Sequence, residues 1–452
     1  MTSKTIGSAA TAIDFYKTGH KFQYEEGTEL VYANFTPRSS KYANLPHHYD
    51  QKVVCFGIQA FILDYLIKEW NETFFNKPRM IAVGMYQRRL DNALGVGAVD
   101  VSHIGELHDM GFLPLRIAAI PEGEAVDIGV PMLTIFNTNP RFFWLVNYIE
   151  TVMSSELWKP CTTATIAREY RRLVEMYAEK TGADLSALDF QCHDFSARGM
   201  SGRHDASISG MGHLLSFVGT DTVSAIDSAE EYYFANTDFE LIGTSVPATE
   251  HSVMCMSGKD DEKETFRRLI CDLYPTGIVS IVSDTWDYWK VITEFLPEMK
   301  ELILARQPNA LGLAKTVIRP DSGDPVHIIS GYRVGNLSNL EDYFKSIDEK
   351  GDTYVAYIKP SGEVFQSING GYYKIDDWAW NSEKKVMYTV KGAKEIPEHE
   401  VKGTVGCMWD IFGGTETGKG YKVLHERIGL IYGDSITLAR AEEIMIRLME
   451  KG

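Results

Sequence analysis

Thr316-Val317-Ile318-Arg319-Pro320-Asp321 is an apolar run that ends in residues able to do chemistry, and the sequence repeats that form. Val279-Ser280-Ile281-Val282-Ser283-Asp284 lies before it, preceded by Ala187–Asp194, Leu214–Asp221 and Thr244–His251. The terminal residues 194, 221, 251, 284 and 321 stand 27, 30, 33 and 37 apart, the length of a strand, a helix and two loops. That is the βα unit of a parallel sheet. Helix-compatible segments lie between the runs, among them Asp260–Asp272 and Trp286–Leu304. A single acid after a strand reads as a helix cap. Five at near-constant spacing read as a site, because the ends of successive parallel strands converge at one mouth, where (β/α) barrels keep their chemistry.

A sixth run, Ile428–Asp434, comes 113 residues after Asp321 and precedes a helix with Ala441, Ile444, Met445 and Leu448 on one face. The excess length is accounted for if 327–420 is a β-rich insertion. Its runs Thr353–Ile358 and Tyr372–Ile375 look like strands, joined by turns such as Pro360-Ser361-Gly362. Barrel core is then expected at 181–326 and 421–452, with an α+β region over 1–180. In that region Leu30–Phe35 reads as extended, Lys52–Trp70 as an amphipathic helix, and 113–137 as strands and turns. Pro140–Trp158 and Ala164–Lys180 read as two helices, the second capped by Thr162-Thr163.

The 452 residues exceed what one core usually serves, so two domains or one elaborated barrel are expected. With 44% apolar and 24% charged residues, a disordered chain is excluded. The 45 Lys+Arg against 62 Asp+Glu give a net charge of −17, the wrong sign for a nucleic-acid binder. Any anionic substrate must be gripped by a few placed arginines. No apolar run is long enough for a membrane span, and the six cysteines are scattered without a C-x-x-C pair. The expectation is a soluble, acidic, cytoplasmic protein with reduced thiols and neither nucleic-acid nor membrane partners.

Several segments carry candidate chemistry. In His193–Arg203, Phe195 can stack on a flat ring and Arg198 can grip a phosphate or carboxylate, although the loop also suits an ordinary buried ion pair. Asp221 follows Gly219-Thr220, which leaves room for a ligand. A carboxylate accepts hydrogen bonds and donates none, so it favours an amide over another carboxylate. His251 beside Glu250, at a strand end, is a candidate base, nucleophile or phosphate acceptor. Arg319-Pro320-Asp321-Ser322-Gly323-Asp324-Pro325 is the most specific local signal: a phosphate fork, acids that reach hydroxyls or Mg²⁺, and backbone donors in a tight turn. It is neither a Walker loop nor a Rossmann fingerprint. A zinc site is not expected, since the thiols lack ligand spacing and His47-His48 sits in a polar stretch.

Asp14–Lys17, His193–Phe195 with Arg198-Gly199, Gly219–Thr222, Ser245–Ala248 with Glu250–Ser252, Ser283-Asp284 and Arg319–Gly323 occur in this order. In that order they resemble nicotinamide phosphoribosyltransferase, most closely its bacterial and bacteriophage branch, which Trp409–Gly414 and Ile431–Ser435 also resemble. The resemblance covers nearly the whole chain. It implies an α/β fold of the type II phosphoribosyltransferase kind and a homodimer to which the N-terminal region contributes. It also implies synthesis of nicotinamide mononucleotide and pyrophosphate from nicotinamide and phosphoribosyl pyrophosphate in NAD salvage. By resemblance, Phe195 and Tyr16 of a second subunit sandwich the pyridine, and Asp221 holds its carboxamide. Arg198 and Arg319 bind phosphates, and Asp284, Asp321, Gly433 and Asp434 line the ribose and pyrophosphate region. Ser280 is a further substrate-binding candidate, and His251, Asp284 and Asp321 are the expected catalytic residues. His251 resembles the histidine that ATP phosphorylates as an optional coupling substrate, and Mg²⁺ accompanies the pyrophosphate.

In the family, the strand near Gly433-Asp434 and its helix are followed by another strand and a Gly-rich loop for the 5′-phosphate. Here the sequence stops at Glu450-Lys451-Gly452, so the expectation is an incomplete barrel, active alone or with a complementing C-terminal chain. Ala197 stands where relatives often carry an aromatic. The competing readings are nicotinate phosphoribosyltransferase, a ligand-binding scaffold subunit without turnover, and a metal-dependent barrel hydrolase using His251.

Overall fold

The computed structural model describes residues 7–45, 49–335 and 394–452, with 354–356, 362–366, 370–374, 378–381 and 386–389 between them. His47, His48, Pro360, Ser361 and the outer residues of the two insertion runs lie outside the described residues. The chain forms two compact units, one from 1–175 with 185–245 and the other from 176–184 with 246–452. The boundary therefore falls inside the stretch read as barrel core.

The first unit combines an antiparallel sheet with a short parallel one. Leu133–Asn137 is its central antiparallel strand, flanked by Tyr32–Phe35 and Leu115–Ala119. Alternate burial of Leu133, Ile135 and Asn137 marks the face against a core of Phe61, Trp70, Phe74, Leu145 and Leu157. Lys52–Val54 is a strand, not the start of a helix. Its β-branched valines pair with Ala125–Asp127, and Gly57, at φ +91°, turns the chain so that helix begins at Ile58. The two helices expected around Thr162 are one, Glu150–Thr181, with Pro160 inside it. An interior proline costs about 3 kcal/mol. Packing offsets that cost: Cys161 and Ala164 are buried, and the Thr165 hydroxyl donates to the Cys161 carbonyl at 2.7 Å. The Pro160 ring lies where a Cβ on Gly57 would come within 2.6 Å.

Two βα units of the parallel kind follow in this unit. His193–Asp194 pairs with Gly219–Thr220, Thr244 bridges to Gly219, and helices Arg203–Leu214 and Val223–Tyr233 lie between. The second unit continues the pattern in its own sheet. Ala248 bridges in parallel to Ser280, Gly277–Val282 pairs with Ala314–Arg319, and Ile428–Leu430 pairs with Thr316–Ile318. Gly277–Val282 reads as a nearly continuous apolar run because both its faces are covered. In Ala314–Arg319, by contrast, Ala314, Thr316 and Ile318 are buried and Lys315, Val317 and Arg319 half-buried. The period of two places Arg319 on the face opposite Ile318, which joins a core with Phe266, Ile292, Leu296 and Met408.

Met408 belongs to Glu398–Phe412, a helix lying within the stretch read as a β-rich insertion. The short strands Val364–Gln366, Tyr372–Lys374 and Lys394–Ile396 form a sheet with Val334–Gly335. Among the described residues, no helix is long and apolar enough to cross a membrane. None of the six cysteines is in a disulfide.

One buried acid gives this unit a pH signature. Glu262 is 2% exposed and its Oε1 has no partner among the described residues. Burial, opposed by the cation of Lys290, lifts its carboxyl to about 7. A carboxyl raised on folding holds its proton more tightly in the native chain than in the unfolded one. Stability therefore falls as pH climbs from about 5 through 7, by roughly 2–3 kcal/mol. Glu262→Gln is expected to flatten that slope in urea titrations at pH 5.5 and 8; an unchanged slope would contradict this.

Candidate active site

In the first unit, the sheet register builds the site. Parallel pairing puts Asp194 level with Thr220, so both strands end together and Asp221 emerges just beyond. The Asp221 N–H donates to the Asp194 carbonyl at 2.9 Å. Asp194 itself is buried and structural, accepting from the Ser196 N–H at 2.9 Å and the Thr222 hydroxyl at 2.8 Å. Burial raises its carboxyl, but those donors outweigh burial and hold it below the usual range. His193 Nε2 donates to Asp221 Oδ1 at 2.9 Å, and the Ser245 hydroxyl reaches the same oxygen at 2.6 Å. The Asp221 side chain is 43% exposed, and among the described residues Oδ2 receives no hydrogen bond. The His193 ring lies 4.6 Å from that of Phe195, tilted by 34°. Gly219 makes this possible, since a Cβ there would lie 2.8 Å from His193 Nδ1. The result is a carboxylate with one oxygen oriented and one open, joined through the His193 ring to Phe195.

Neither Tyr16 nor Arg198 joins this group within the chain. Tyr16 is 62% exposed on the helical segment Phe15–Phe22, packed on His20 and bonded to Asp14 at 3.3 Å. Arg198 is exposed in the turn Ser196–Gly199.

In the second unit, Asp284 organises the strand ends. Its side chain is 5% exposed; Oδ1 accepts from His251 Nε2 at 3.2 Å. Oδ2 accepts from the Asp321 N–H at 3.1 Å and the Ser322 hydroxyl at 2.5 Å. Asp284 therefore holds both His251 and the Pro320–Asp324 loop. Arg319 is pinned by Nη2 to the Thr249 carbonyl at 2.7 Å, while its Nε has no partner among the described residues. Ser280 is 4% exposed, and its Oγ likewise lacks a partner among the described residues. Because Ser280 pairs with Val317 and Val282 with Arg319, both side chains point to the same sheet face. Two unpartnered buried polar groups on one face suit a polar ligand or water.

Gly433 comes close to Asp321; a Cβ there would lie 2.2 Å from Asp321 Oδ1. The Tyr432 hydroxyl donates to the Gly323 carbonyl at 3.0 Å. Burial, reinforced by the fields of Asp434, Asp284, Asp321 and Asp324, pushes that phenol up to about 12. Asp434 is exposed. His193, Ser245, Ser322 and Tyr432 were not singled out as site residues from sequence, although each lies inside or beside a quoted motif. His193 and Ser245 become visible only through strand pairing.

Residues 190–452 match the model of the nicotinate phosphoribosyltransferase (NAPRTase) family. The chain is 54% identical over 441 residues to the nicotinamide phosphoribosyltransferase of Acinetobacter baylyi, a match spanning 98% of this chain and 75% of that relative. The chain belongs to the NAPRTase family. Its similarity to the nicotinamide phosphoribosyltransferase of Mycoplasma pneumoniae is 28% over 458 residues, covering 98% of this chain and 81% of the relative. A crystal structure of human nicotinic acid phosphoribosyltransferase aligns at TM-score 0.43 and 15% identity, over 69% of this chain and 61% of that one. The family description names nicotinate and the two bacterial relatives nicotinamide, so the acid or amide preference of this family member is a question for Asp221.

Proposed function

We propose that the chain is a nicotinamide phosphoribosyltransferase, making nicotinamide mononucleotide and pyrophosphate from nicotinamide and phosphoribosyl pyrophosphate in NAD salvage. Membership of the family and its bacterial relatives support the reaction class. The observation that carries the choice of substrate is Asp221: His193 and Ser245 both engage Oδ1, Oδ2 receives no hydrogen bond among the described residues, and Phe195 packs on the His193 ring. An open carboxylate oxygen suits the N–H of a carboxamide and repels the carboxylate of nicotinate.

In this reading Phe195 covers one face of the pyridine and Tyr16 of a second copy covers the other, in a homodimer. The exposure of Tyr16 is compatible with that role. Arg198 and Arg319 hold phosphates, and Asp284, Asp321, Gly433 and Asp434 serve the ribose and pyrophosphate, with Ser280 on the face that carries Arg319. The pyridine nitrogen is already a nucleophile, so positioning contributes most of the rate. Loss of pyrophosphate leaves positive charge on the anomeric carbon, which carboxylates near the ribose stabilise. The acidic surroundings of Tyr432 call for a cation beside a polyphosphate. Mg²⁺ would supply that charge, and it suits delivery with the pyrophosphate, because no cluster of three or more protein ligands exists among the described residues. His251 is half-exposed and gives its Nε2–H to Asp284, which leaves the lone pair on Nδ1 to accept a phosphoryl group from ATP. The strand order in each unit suits the (β/α) barrel of type II phosphoribosyltransferases, and a cytoplasmic location suits the free thiols.

The test is competition between the two pyridines. The unmutated protein is expected to prefer nicotinamide, and Asp221→Ser to lower that preference about 10- to 100-fold in kcat/KM. Nicotinate outcompeting nicotinamide in the unmutated protein, or an unchanged ratio in the variant, would contradict the reading.

A further inference from the structure

The Pro320–Asp324 loop is held on its near side by Asp284 and Tyr432, as above. Its far side is held differently. Asp324 caps helix Pro325–Ser330, accepting from the Val326 N–H at 2.9 Å through Oδ1, while its Oδ2 faces His327 Nδ1 at 3.5 Å. The other ring nitrogen of His327, Nε2, stands 3.5 Å from Glu363 Oε2. Tyr332 stacks on the imidazole with centroids 4.3 Å apart and planes at 18°, which fixes the ring plane. Glu363 lies just before the strand Val364–Gln366 of the inserted stretch and is itself anchored. It accepts from the Arg333 N–H at 3.2 Å, from Arg447 Nη1 at 2.7 Å and from Arg447 Nη2. Its carboxyl is pushed down to about 2, these donors outweighing a burial that would raise it.

We propose that His327 is a positioning residue for the Pro320–Asp324 loop, its ring set by Glu363 of the insertion. The insertion thereby takes part in substrate binding at a distance: Glu363 orients an imidazole, and the imidazole orients the Asp324 cap that ends the loop. The effect expected on turnover rests on reading that loop as the phosphoribosyl pyrophosphate site. The positioning itself does not depend on that reading.

Hydrogen exchange followed by mass spectrometry tests the positioning, and steady-state kinetics tests its consequence. In His327→Ala and Glu363→Gln, amides of 319–326 are expected to exchange about five- to tenfold faster, while those of helix Glu398–Phe412 keep their rate. The KM for phosphoribosyl pyrophosphate is expected to rise about fivefold, with the KM for nicotinamide within about twofold of its starting value. His327→Gln, which retains a donor, should recover most of the loss, and Glu450→Gln at the edge of the same network should change neither readout. Unchanged exchange in 319–326 overturns the positioning, and faster exchange with both KM values unmoved overturns its consequence for substrate binding. If the unmutated protein forms no mononucleotide, the exchange result still decides the positioning, and only the proposed function fails.

Discussion

Asp284→Ala is expected to lower kcat/KM for mononucleotide formation about 100- to 1,000-fold. The side chain is 5% exposed and holds three groups at once: the imidazole of His251, the N–H of Asp321 and the hydroxyl of Ser322. Removing it frees the histidine from its tautomer and leaves a backbone N–H unsatisfied at the head of the loop. Asp321 and His251, proposed to serve the ribose and to accept the phosphoryl group, lose their orientation together. Asp284→Asn should fall between, since an amide oxygen still accepts from one partner while its NH2 faces another donor. Labelling of His251 by radioactive ATP should drop in parallel with turnover. A loss below about tenfold in Asp284→Ala would mean that the three contacts are structural only.

The second large effect is on stability. Arg447→Ala is expected to destabilise the chain by about 2–3 kcal/mol, less than a fully buried pair would cost, because water can reach the acids left behind. Arg447 is 5% exposed and donates to Glu363, to Glu443 at 2.7 Å and to the Gly331 carbonyl at 3.2 Å. Alanine would take a charged donor from Glu363 and Glu443, whose side chains are 34% and 33% exposed, and from the Gly331 carbonyl. The Glu363 contribution has its own pH window. With the folded carboxyl at about 2 against an ordinary 4.5, its stabilisation is full above 4.5 and is lost as pH falls toward 2. Urea titrations at pH 7 and pH 3 would read both effects; a loss under about 1 kcal/mol at pH 7 would contradict them.

The repeat of apolar runs ending in acids was legible because strand, helix and loop lengths are nearly fixed in βα units. It located Asp194 at the last position of its strand and Asp221, His251, Asp284 and Asp321 just beyond theirs, and the sixth run contains the strand Ile428–Leu430, which pairs with Thr316–Ile318. Helix ends and interruptions were less legible. Pro160 reads as a break, but it is tolerated because Gly57 leaves room for its ring, a contact between residues far apart in sequence. Glu398–Phe412 carries Val401, Thr404, Cys407 and Met408 at helical spacing, yet its glycines and the strand-like runs before it hid the pattern. Gly403, at φ +77°, interrupts that helix. Its backbone lies so close to Gly331 that a Cβ would come within 2.2 Å of the Gly331 N, which local sequence does not reveal.

The same distinction holds at the site. Phe195, Asp221 and Asp284 announce themselves by type and place. The partners that orient them do not: His193 reaches Asp221 across 28 positions through strand register. Arg447, on the helix Leu438–Glu450, is buried because Glu363 meets it from 84 positions away. Residue type shows what chemistry is present, and pairing shows which oxygen remains open.

The measurement closest to the central claim offers the purified protein equal concentrations of nicotinamide and nicotinate with phosphoribosyl pyrophosphate, Mg²⁺ and ATP. Chromatography then follows the two mononucleotides. The open oxygen of Asp221 predicts nicotinamide mononucleotide as the main product, with stoichiometric pyrophosphate. Nicotinate mononucleotide as the main product, or no mononucleotide of either kind, would contradict it.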